Sequence, residues 1–96
     1  MKEEQIQTLH PLPGKINKRI SLEKYTLIRG NILAILKVGD LTHTELMERL
    51  YTDVKDVFEG GVQWYGEVVK LDLEARKIIE RTGSKPEKYH INSKKR

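Results

Sequence analysis

The chain has 96 residues, 38% of them hydrophobic and 33% charged, the size and balance of one globular domain rather than a disordered chain. It has no cysteine, which excludes disulfides, thiolate catalysis and cysteine-ligated zinc and leads us to expect a reducing, cytoplasmic setting. No apolar run approaches the ~20 residues of a membrane span, and the opening MKEEQIQTLHP has no apolar core, so no signal peptide is expected.

The formal net charge of +4 sits at the two ends. Residues 1–19 hold four bases against two acids, residues 83–96 five against one, and the stretch between them nine against eleven. Basic ends on a mildly acidic body suit contact with phosphate, and equally suit plain solubility.

In chain order, residues 1–20 read as an extended N-terminal arm, because His10-Pro11-Leu12-Pro13-Gly14 blocks helix through two fixed φ angles and a permissive glycine. Ile6, Leu9 and Leu12 either pin this arm to the domain or form a dimer contact. The domain proper is expected over 21–92. Its first helix starts at Ser21, a hydroxyl cap with Glu23 in the first turn and Ile20 and Tyr25 at staple positions. Leu22, Tyr25, Ile28, Ile32, Ile35 and Leu36 recur at helical spacing, and Gly39 is expected to close the helix in the left-handed conformation.

After Asp40, Leu41 is expected to bridge to a later hairpin. Thr42-His43-Thr44-Glu45 is a capping box, and Leu46, Leu50, Val54 and Val57 carry the second helix to about Asp56. Phe58-Glu59-Gly60-Gly61 breaks it. A third helix spans about Gly61 to Arg76, with Trp64, Val68, Leu71 and Ala75 on the buried stripe, Tyr65, Val69 and Leu73 widening it, and Gln63, Gly66, Glu67, Lys70 and Glu74 outward. Two strands follow, Ile78 to Thr82 and Lys88 to Asn92, joined by Gly83-Ser84-Lys85-Pro86-Glu87. Residues 93–96 are a polar tail. The fold class is mainly α with a small β-hairpin, an α+β winged helix-turn-helix of three helices plus a wing.

Three groups of residues carry a resemblance. Lys24-Tyr25 near the start of the first helix, Gly-Gly-Val-Gln-Trp-Tyr opening the third, and Val-Lys-Leu-Asp-Leu-Glu-Ala-Arg with Ile-Glu-Arg after it resemble a small bacterial winged-helix-like family of uncharacterised function. The similarity covers about Gly14 to Ile91. It implies the fold and no activity. Many winged-helix regulators carry glycine before the first wing strand; this chain has Lys77 there.

No enzyme, cofactor or metal is expected. His10, His43 and His90 are isolated, without a second ligand at suitable spacing. Ser21, Ser84 and Ser93 fall at a cap, in a turn and in the tail, not in a strained nucleophile turn. Asp72 and Glu74, two apart on a helix, point different ways and do not form a carboxylate pair.

Nucleic-acid binding is the expectation the fold raises. A helix-turn-helix lays its third helix in the major groove of double-stranded DNA, which nominates Gln63, Glu67 and Lys70 for base edges and Tyr65 for the rim. Arg81, Lys85 and Lys88 on the wing, with Lys15, Lys18 and Arg19 on the arm, are nominated for phosphates. Against it, Glu67 and Glu74 would face a polyanion. The alternative is a module that binds a protein partner or forms a homodimer through the arm, first helix or wing, without nucleic acid.

Overall fold

Residues 4–20 do not lie extended but fold back on themselves. In the computed structural model, which describes residues 4–92, β1 (Gln5–Gln7) pairs antiparallel with β2 (Arg19–Ser21) in the register Gln5↔Ser21, Ile6↔Ile20, Gln7↔Arg19. The expected tail, 93–96, and the first three residues of the arm lie outside the described residues. The Pro-rich loop between the strands is closed at its neck, where Thr8 donates its N–H to the Lys18 carbonyl (3.1 Å) and Asn17 Nδ2 donates to the Leu9 carbonyl (2.9 Å). Ile20 is buried and Ile6 packs beside it, whereas Leu9 and Leu12 stay exposed. The arm is therefore pinned by Ile6 and Ile20.

α1 (Leu22–Val38) begins where its cap requires: the Ser21 hydroxyl accepts from the Lys24 N–H. Tyr25, Ile28, Ile32, Ile35 and Leu36 are buried along one face. The expected left-handed closure at Gly39 does not occur; its φ of 177° is extended backbone, and the chain runs straight into a bridge between Leu41 and Tyr89. α2 (His43–Val54) opens with the capping box complete, Thr42 Oγ1 accepting from Glu45 N–H and Glu45 Oε1 accepting from Thr42 N–H. It ends at Val54 rather than Asp56, because the Val57 and Phe58 N–H groups both converge on the Val54 carbonyl (3.0 Å each) and tighten the chain into a turn. Val57 is thereby turned to solvent and Phe58 takes the core position.

α3 (Val62–Ala75) packs on both earlier helices. Its C-terminus is closed by Lys77 itself in the left-handed region, φ 66°. Lys77 N–H donates to the Glu74 carbonyl (3.0 Å) and Ile78 N–H to the Leu73 carbonyl (2.9 Å), the paired bonds of a Schellman closure with lysine where glycine is usual. β3 (Ile79–Arg81) and β4 (Tyr89–Ile91) then pair antiparallel, Ile79↔Ile91 and Arg81↔Tyr89. Ile79 and Tyr89 enter the core. The described residues form a small α+β fold of three helices and two antiparallel hairpins, in which no helix is long and apolar enough to cross a membrane.

Candidate nucleic-acid interface

Successive residues of a helix turn by about 100°, and α3 meets α2, the arm and the β3–β4 hairpin on different parts of its surface. Toward the core, Val62, Gly66, Val69 and Leu73 are buried. Gly66 is there because α2 comes so close: a Cβ on it would lie 2.7 Å from Leu50 Cδ2 and 2.9 Å from Met47 Sδ. Gly66 was expected outward, and this close approach turns it inward.

On the second side the arm lies along the helix. Asn17 Nδ2 donates to the Val68 carbonyl (3.0 Å) and Leu9 N–H donates to Asp72 Oδ1 (2.8 Å). Asp72 has no exposed surface, yet its other oxygen accepts from the Tyr25 hydroxyl (2.5 Å) and from Arg76 Nε (2.8 Å). Burial, then the hydrogen bond to Asp72, pushes the Tyr25 hydroxyl up to about 12, and the same carboxylate raises the pKa of Arg76. The sequence reading gave Asp72 no role. The signal that was available is a charged residue set between Leu71 and Leu73, in phase with Val68, with an arginine four residues on.

On the side opposite the arm, the C-terminal half of α3 faces the β3–β4 hairpin. Lys70 is only 3% exposed. Its Nζ lies 3.1 Å from Glu74 Oε2, 3.1 Å from the Tyr89 hydroxyl and 4.2 Å above the Tyr89 ring. Glu74 Oε1 accepts from Arg81 Nε (3.0 Å), and Arg81 reaches Glu87 Oε1 as well (3.4 Å). The bond to Glu74 raises the pKa of Arg81. Lys70 and Glu74 are thus not outward residues. Tyr89, brought alongside by the hairpin, makes a site in which a lysine and a glutamate can be buried together.

The N-terminal half of that side, where Gln63 and Glu67 are in phase with Lys70 and Glu74, is open among the described residues. Gln63, Trp64 and Glu67 are exposed there, and with His43, Thr44, Met47 and Glu48 they line a groove between the starts of α2 and α3. Trp64, expected in the core, is 50% exposed; its ring stands edge-on to Tyr65, 4.9 Å between centroids. Tyr65 is half-buried away from this face, edge-on to Phe58 at 5.1 Å and beneath the Lys24 ammonium. On this face Trp64, not Tyr65, is the exposed aromatic residue. His43, at the mouth of the groove, has its pKa lowered by burial and then by Lys70.

Of the cations nominated for phosphate, Lys15, Lys18 and Arg19 are exposed on the arm and Lys85 at the hairpin turn, and none of these forms a salt bridge among the described residues. Lys88 is half-buried and close enough to Glu45 to act on it. Arg81 is held by two carboxylates. Over residues 5–89 the chain matches a family described as a family of unknown function (DUF6958). No curated protein and no solved structure matches it.

Proposed function

The chain belongs to this family of unknown function, and we propose that it is a winged-helix domain that binds double-stranded DNA, with α2 and α3 as the helix-turn-helix and β3–β4 as the wing. One observation carries the proposal: among the described residues the strip Gln63–Trp64–Glu67 is the exposed part of α3, with the basic arm along one flank and the basic hairpin beyond its C-terminal end. A groove-entering helix needs such a strip, and the phosphates on either side of the groove need cations beside it. Lys85, Lys88, Lys15, Lys18 and Arg19 supply those cations. Lys70 is withdrawn from base contact and Arg81 from phosphate contact; both position the wing on α3. The proposal places the protein with DNA in a reducing compartment such as the cytoplasm.

Fluorescence anisotropy with mixed-sequence duplexes at about 50 mM salt tests the proposal. Phosphate contacts by about four of these five cations give a log–log salt slope near −3.6, and Lys85→Ala or Lys88→Ala each flatten it by about 0.9 where that lysine is one of the four. No binding at that salt would sink the proposal and favour the second reading, a protein-interaction module. That reading rests on exposed apolar side chains, Trp64 on α3 and Leu12 and Ile16 (86% exposed) at the arm tip. It predicts concentration-dependent mass in sedimentation that is lost on Leu12→Ser with Ile16→Ser.

A further inference from the structure

The open strip of α3 presents a difficulty to a DNA-binding surface: its one charged side chain is a carboxylate. Glu67 is exposed and forms no salt bridge among the described residues, with Glu48 across the same groove. Brought near a polyanion with one charge per ~1.7 Å of axis, Glu67 costs affinity wherever it lies against phosphate. What offsets that cost is a hydrogen bond that only a carboxylate's acceptor character allows.

An ionised carboxylate accepts and never donates. In the major groove guanine offers N7 and O6 acceptors and thymine offers O4; the donors are cytosine N4 and adenine N6. Adenine pairs its donor with an adjacent N7 acceptor, which suits an amide and repels a carboxylate, so cytosine is the base that fits Glu67. Gln63 lies one turn earlier, about 6 Å along the axis, and it has the amide that adenine requires. The half-exposed Trp64 ring stands between them in sequence, an apolar surface for the 5-position of a pyrimidine.

Resting on the DNA-binding proposal above, we infer that Glu67 is the specificity-determining residue of this domain: it selects a cytosine at one position of the site and lowers affinity for every other sequence. Selectivity here comes from an acceptor that rejects guanine and thymine, with the arm and hairpin lysines supplying the attraction that any sequence receives.

The test is a random-sequence duplex library bound to the full chain at about 50 mM salt, recovered and sequenced, with Glu67→Gln and Glu67→Ala run alongside. The wild-type chain should enrich cytosine at one position by about 5- to 150-fold, the discrimination of one good side-chain–base pair. Glu67→Gln should move that preference toward adenine, and Glu67→Ala should erase it. Both variants should bind mixed-sequence duplex about 3- to 10-fold more tightly than the wild type, one repelling charge having gone. Thermal melting of both variants checks that an exposed substitution has left the fold intact. If the wild type binds no duplex, the DNA-binding proposal falls and this inference with it. If the wild type binds but base preference is the same in all three proteins, the inference alone is overturned.

Discussion

The backbone N–H of Leu9 donates to the carboxylate of Asp72 across 2.8 Å and 63 positions of sequence. That bond ties the arm hairpin to the last turn of α3, and Tyr25 and Arg76 complete the ring of donors around the same buried group. Asp72→Ala removes the acceptor of all three. We expect a loss of about 3 kcal/mol, the low end of the range for a broken buried pair, since Arg76 is partly exposed and water can take up its charge. Urea denaturation measures the loss, and amide exchange at Leu9 should speed up by more than at core positions of α1.

Tyr25 gives the same cluster a pH signature. Its hydroxyl titrates near 12 in the folded chain against an ordinary value of 10. A raised folded pKa means that the contribution is complete below pH ~10 and fades as pH climbs from there toward 12. At pH 11 the loss is about 1.4 kcal/mol. Tyr25→Phe should be less stable than the wild type at pH 8, and the gap should narrow by about that amount at pH 11 in paired urea titrations.

Lys77 occupies a backbone conformation that costs a side-chain-bearing residue about 1–2 kcal/mol. Lys77→Gly relieves it and loses part of the gain to the greater freedom of the unfolded chain. A net stabilisation of about 0.5–1 kcal/mol is expected, read as a rise of a few degrees in Tm. A fall in Tm would show that the lysine side chain makes a contact that outweighs the strain.

Two glycines in helices should respond with opposite sign. A Cβ on Gly30 meets no atom within 4 Å, so Gly30→Ala should stabilise α1 by up to about 1 kcal/mol through propensity alone. Gly66→Ala gains the same propensity but drives a methyl against the buried Leu50 and Met47 side chains, and overpacking of about 1–3 kcal/mol should prevail. Differential scanning calorimetry of the two variants separates them.

Trp64→Ala tests the orientation of α3. A fully buried ring would cost about 3–5 kcal/mol, whereas one 50% exposed and resting edge-on against Tyr65 should cost about 1 kcal/mol. Trp64 fluorescence in the native chain should also be readily quenched by acrylamide.

The helix starts and the β3–β4 hairpin were legible because local chemistry settles them. Ser21, and Thr42 with Glu45, satisfy N–H groups within three residues, and no distant partner can alter that. The facing of α3 was not legible. Its apolar residues, Val62, Trp64, Tyr65, Val68, Val69, Leu71 and Leu73, cover an arc of about 200°, so spacing alone admits more than one stripe. What decides between them is the approach of α2 at Gly66, a residue with no side chain to announce it, and the arrival of Tyr89 beside Lys70 from 19 positions away. The arm hairpin escaped notice for a related reason: each strand is three residues long and the loop between them is proline-rich, so no alternation can register.

The bond from Leu9 also bears on where the chain can be cut. A fragment trimmed to begin at the first helix would retain its three helices and both later strands, and would strip Asp72 of the backbone donor that Leu9 supplies. Anyone mapping a minimal binding unit by deletion from the front should therefore see cooperativity fail before any lysine of the hairpin is touched. That failure would report the missing clasp, not a missing contact surface.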